Sequence, residues 1–146
     1  MKSEIISRIA GKTLTLVHIV RIPVELTIFW LFQSKLMPQI MTFEGWNFDI
    51  LSGISAPIIA YFAFRCNKIN RPILIAWNIF ALLLLANIVT IAILSLPSPI
   101  QKLAFEQPNY AVLYFPFIWL PTIIVPIVLF THLASLWILI IKRKDS

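Results

Sequence analysis

Charge is scarce in this chain, and acid is scarcest. Of its 146 residues only 12% are charged, and just six are Asp or Glu. A water-soluble domain carries about a quarter charged residues. Cys66 is the one cysteine, so no intramolecular disulfide can form and the fold must stand on packing. There are three glycines, and no GxGxxG, P-loop, CxxC or HExxH pattern occurs. Those absences remove the common nucleotide, redox and zinc-hydrolase chemistries, and no cofactor is expected. No internal repeat, Gly/Ser linker or low-complexity tract interrupts the chain, so residues 1–146 read as one domain.

What is abundant is apolar surface. Hydrophobic residues make up 60% of the chain and the mean hydropathy is +0.90. They fall in long runs, as in an integral membrane protein. Lipid offers no partner to a free backbone group, so the spans must be helical. The fold class expected is all-α: a four-helix membrane bundle with spans near 13–33, 50–66, 73–96 and 117–141. The last lies within a longer apolar stretch, 111–141, whose first part reads as a bent or interfacial lead-in. No small-residue cleavage site follows the first run, which therefore reads as a retained span.

The net charge of +6 does not point to nucleic acid, because the basic residues sit in short groups at the ends of apolar runs. Lys2, Arg8 and Lys12, then Arg65, Lys68 and Arg71, then Lys142, Arg143 and Lys144 fall on one side. Only Lys35 and Lys102 fall on the other. The positive-inside rule places both termini in the cytoplasm. Trp46, Phe48 and Tyr110 suit an interfacial belt on the outer side.

The first span holds His18, Arg21 and Glu25, spaced three and four apart and hence on one helix face. Helix rise puts Arg21 and Glu25 about 12–18 Å deep and His132 of the last span at about 15 Å. The three can meet at one depth, with Arg21 and Glu25 as an ion pair. A charge at a helix centre costs on the order of 3 kcal/mol, which pairing would offset. The same arithmetic puts His18 about 7 Å nearer the cytoplasm than His132, which argues against a bis-histidine haem. Asn87, Asp49 and Glu44, with Ser52 and Ser55, suggest a polar funnel leading inward from the outer side. Pro23, Pro57 and Pro126 each free a carbonyl four residues back.

Plainer roles exist for each feature. Arg21 and Glu25 can serve as a structural pair, His132 as a satisfied bundle histidine, and Asn78 and Asn87 as interhelical glue. Asp49 suits an N-cap for the second span, and Gly45 a tight bend. Ser135 lies three residues from His132, but no third group completes a catalytic trio. The reading is a cavity around Arg21, Glu25 and His132 that binds or passes a small polar or amphipathic ligand, in contact with membrane lipids. A homo-oligomeric ion or proton channel, a lipid-modifying enzyme and a structural partner subunit are the alternatives.

Several stretches carry a resemblance. "MTFEGWNFDILSGISAP", "LIAWN" followed by "ANIV", "FEQPN" and "PFIWLPTIIVPIVLFTHL" resemble a pattern in small four-span proteins of bacterial genomes. The resemblance covers roughly residues 20–140 and implies a four-span fold without an activity. The Tyr114–Pro121 arrangement is similar, more distantly, to the sterol-isomerase and sigma-2-receptor-like group, which holds buried acids in a lipid-accessible cavity. The spacing differs, and Arg21 in mid-span departs from that group.

Topology can be tested in intact cells with single cysteines in a background lacking Cys66. Cysteines replacing Lys35 and Lys102 should label from outside, and those replacing Lys68 and Arg71 should not. The reverse pattern would overturn the orientation.

Overall fold

The computed structural model describes residues 2–65 and 69–141, with side chains described for 9–65 and 69–140. Cys66, Lys68, Lys142, Arg143 and Lys144 lie outside the described residues. Among the described residues all regular structure is helical. Helix α1, Lys2–Leu16, runs through a 3-10 turn, Val17–Val20, into α2, Arg21–Gln33. Three further helices follow: α3, Ile50–Ala63; α4, Arg71–Leu94; and α5, Val125–Ile141, which continues a π-helical turn at Leu120–Ile124. Among the described residues three stretches are long and apolar enough to cross a membrane: Ile9–Gln33, Arg71–Leu94 and Leu120–Ile140.

The break in the first rod follows from Pro23. Proline cannot donate to the carbonyl four residues back, and the backbone tightens instead. The Arg21 N–H reaches the carbonyl of His18, three residues earlier. At the far end α2 closes on Lys35, whose φ of 60° is left-handed. Leu36 N–H then returns to the Leu31 carbonyl at 2.9 Å, which satisfies a terminal acceptor.

Helix α3 is shorter than the 50–66 span expected. Its 14 residues cover about 21 Å at 1.5 Å per residue, against about 36 Å for the 24 residues of α4. The chain before it therefore dips into the bundle. Met37, Met41, Thr42 and Asn47 are all buried there. Asp49 stands at the N-cap position of α3 but makes no side-chain cap. The capping role expected for it is thus not observed, because its carboxylate is engaged across the bundle.

Small residues bring α3 close to its neighbours. Gly53, Ala56, Ala60 and Ala63 form a buried stripe at helical spacing. A Cβ on Gly53 would stand 3.0 Å from Ile22 Cγ1 and 3.3 Å from Arg21 Cβ. Gly45 is needed for approach as well, since a Cβ there would meet the Gln39 carbonyl oxygen at 2.3 Å. Helix α4 buries Leu74, Trp77, Asn78, Ala81, Leu85, Ile88 and Ile91, one continuous face at spacings of three and four. The lead-in at 111–119 is no continuous α-helix: a 3-10 turn at Ala111–Leu113 is followed by turns up to Ile118, with Tyr114, Phe115 and Trp119 exposed.

Gly53→Leu should separate α3 from α2 and cost about 1–3 kcal/mol, as overpacking does. Thermal melting in detergent reads the loss, and an unchanged transition would mean that the two helices do not pack as described.

Candidate functional site

Arg21 is 2% exposed and touches every other rod of the bundle. Its Nη1 donates to Asp49 Oδ1 at 2.6 Å, to Ser52 Oγ of α3, and to the Ala81 carbonyl of α4 at 3.3 Å. Its Nη2 lies 2.8 Å from His132 Nε2 of α5. The long side chain allows this reach, because helical side chains lean toward their own N-terminus. The Arg21 Nε has no partner among the described residues.

The hydrogen-bond roles follow from the guanidinium, which keeps its protons and cannot accept. His132 Nε2 is therefore the acceptor, and the ring proton sits on Nδ1. Nδ1 donates to Asn78 Oδ1 at 2.9 Å. The Asn78 amide in turn donates to the Leu74 carbonyl at 2.8 Å and to Ser135 Oγ at 3.2 Å. A second chain starts at Thr131, whose hydroxyl donates to the Val128 carbonyl at 2.8 Å. That leaves Oγ1 to accept from His18 Nε2 at 3.3 Å. The His18 ring stacks on His132 with centroids 3.9 Å apart. The axial separation expected between the two histidines is corrected by this contact: His132 stands level with His18, and the Arg21 side chain bridges the remaining turn.

Glu25 is 1% exposed but does not pair with Arg21, contrary to the sequence-based expectation. Among the described residues the ion pair of Arg21 is with Asp49. Both Glu25 oxygens accept from Asn47 Nδ2 at 2.7 Å. The same amide donates to the Met41 carbonyl at 2.8 Å, and Asn47 Oδ1 accepts from the Asp49 N–H at 3.0 Å. The physical reason is the inward dip before α3. It delivers Asp49 to the guanidinium and leaves Glu25 to an amide.

A cavity of about 470 Å³ opens beside this cluster, with Arg21, Glu25 and Asp49 in its wall. The rest of the wall is almost wholly apolar, from Ile28 and Met41 through Leu85, Ile88 and Val125. Its size falls in the roughly 300–1,000 Å³ range of small-molecule pockets. The polar funnel expected from Glu44 and Asn87 is not observed. Glu44 is exposed, Asn87 donates to the Trp46 carbonyl at 2.8 Å, and neither lines the cavity. His132 lies behind Arg21, away from the cavity wall. Sequence reasoning missed Asn47 altogether. Among the described residues no cluster of three or more His, Cys, Asp or Glu side chains is placed to hold a metal ion.

The chain belongs to the family described as a domain of unknown function (DUF8737), which it matches over residues 4–140. No curated protein and no solved structure matches it.

Removing one partner of a buried ion pair costs about 3–5 kcal/mol, while replacing both can be nearly neutral. Arg21→Met alone should therefore destabilise more than Arg21→Met with Asp49→Leu. Arg21→Met and Glu25→Gln, linked only through Asn47 and Asp49, should show a smaller coupling in detergent melts. Strong coupling of Arg21 to Glu25, with none to Asp49, would contradict the observed pairing.

Proposed function

We propose that the chain is a multi-pass membrane protein, with both termini cytoplasmic in a bacterial inner membrane, that binds or passes a small amphipathic ligand. The observation that carries this reading is the two-part character of the cavity. An apolar chamber of about 470 Å³ meets Arg21, Glu25 and Asp49. An apolar tail gains from burial at about 25 cal/mol per Å², and a polar head finds donors and acceptors among those three residues. Ligand pockets share this plan of apolar walls with a few convergent polar groups.

Two alternatives have less support. A pore between several copies would place polar residues on an outer face, but Arg21, Glu25, Asp49 and His132 are all buried within one chain. The outward surfaces carry Leu83, Phe130 and Trp137 instead. A proton relay from Asp49 to His132 would have to cross Arg21, which does not release a proton. For a hydrolase, His132 would need a nitrogen free for a serine, and both nitrogens are engaged by Arg21 and Asn78.

Ala92 is a small residue in the cavity wall, so Ala92→Phe should fill space without touching Arg21 or Glu25. A ligand at 100 times its Kd should stabilise the wild type by about 2.7 kcal/mol. Thermal melts in nanodiscs with twelve-carbon single-chain amphiphiles should show that gain in the wild type and lose it in Ala92→Phe. Equal stabilisation of both proteins would place binding elsewhere and end this reading.

A further inference from the structure

The far end of the cavity is closed toward the loops. Gln107 Nε2 donates to the carbonyls of Phe32, at 3.2 Å, and Met37. Ala111 N–H donates to the Leu36 carbonyl at 3.1 Å, which fastens the 95–113 segment to the turn after α2. Asn109 is fully buried, with its N–H on the Ser95 carbonyl at 2.8 Å. The two connecting segments are thus stitched together over the chamber, with Met37 and Met41 packed beneath them.

The side of the cavity is different. Ile93 on α4 is 43% exposed, and Leu113 and Ile118 on the approach to α5 are 49% and 38% exposed. All three line the chamber, as do the exposed Pro121 and Thr122. The wall is therefore open between the last turns of α4 and the segment 113–122, on an apolar outer surface. Tyr114, Phe115 and Trp119, beside that mouth, are strongly exposed aromatics, as at a membrane–water boundary. Among the described residues no charged side chain lines the mouth. The charged residues of the cavity are Arg21, Glu25 and Asp49, all buried.

Resting on the reading above, we infer that the cavity is a lateral portal that takes a single-chain amphiphile with a small uncharged hydroxyl-bearing head directly from the bilayer. The mouth excludes a charged head, because crossing an apolar passage strips an ion of water without a partner. The cavity wall then sets the complement. Among the described residues, Arg21 Nε–H is a buried donor lacking an acceptor, and the Glu25 carboxyl accepts hydrogen bonds from the Asn47 amide alone. A hydroxyl is the group that can answer both, accepting from Arg21 and donating to Glu25. An ammonium head has no lone pair for Arg21, and a carboxylate head has no proton for Glu25.

The test uses the full chain in zwitterionic nanodiscs and a 1-monoacylglycerol probe bearing a diazirine in its tail. Photolabelling should fall on the cavity-facing part of α4 and be absent with Ala92→Phe. Unlabelled 1-lauroylglycerol should compete about tenfold better than dodecanoate or dodecylamine, and free glycerol should not compete. Leu113→Trp with Ile118→Trp, both at the mouth and outside the polar cluster, should cut the labelling rate at least severalfold with an unchanged melting temperature. Equal competition by all three amphiphiles, or preference for a charged one, would overturn the head assignment. Labelling as fast in the mouth variant as in the wild type would overturn the portal while leaving an amphiphile site. Labelling insensitive to Ala92→Phe would remove the underlying reading as well.

Discussion

Everything in this bundle is arranged around one cation that cannot be neutralised. A guanidinium keeps its charge, and burying it away from water is costly unless it is paired and hydrogen-bonded. Arg21 answers that cost by collecting an acceptor from each remaining rod: Asp49 and Ser52 at the start of α3, the Ala81 carbonyl of α4 and His132 of α5. The four rods are thereby pinned at one level. His132 is fixed in turn by Asn78, which holds Ser135, so the polar layer continues through α4 into α5 a second time.

The layer separates two kinds of packing. Toward the end where α1 begins and α5 finishes, Ala56, Ala60, Ala63 and Ala81 let the helices approach closely around Leu74 and Trp77. Toward the loops, α3 has not yet begun and cannot fill the space beside α2 and α4. The connecting segment before it covers part of that space with Met37 and Met41, and the remainder is the cavity. A short third rod thus accounts for three features together: the inward dip, the delivery of Asp49 to Arg21, and a chamber with a polar end.

Helix content and the approximate position of each rod were legible in the sequence, because apolar runs of 20 residues leave few choices. The stripe of His18, Arg21 and Glu25 was also legible from spacing alone. Their partners were not. Spacing reports neighbours along one helix, and it favoured the Arg21–Glu25 pair at i and i+4. The pairing actually observed crosses from α2 to the turn before α3 and depends on how deep that turn lies. One signal was present: two polar residues, Asn47 and Asp49, stand immediately before a span only 14 residues long as observed. A helix that much shorter than its neighbours implies that its leading turn is drawn inward, and with it Asn47 and Asp49. The contact between the two histidines was hidden for a related reason, since axial arithmetic counts backbone rise and ignores the reach of an arginine side chain.

The central claim is that the buried cluster forms the polar end of a ligand chamber and is not merely a brace between helices. The most direct measurement is an experimental map of the full chain in lipid nanodiscs, at a resolution that shows bound amphiphiles. The account predicts elongated density between α2, α4 and Leu120–Ile124, with its polar end within hydrogen-bond distance of Glu25 and Arg21. Helices closed upon one another there, with Arg21 and Asp49 paired in a dry core and no chamber beside them, would contradict it.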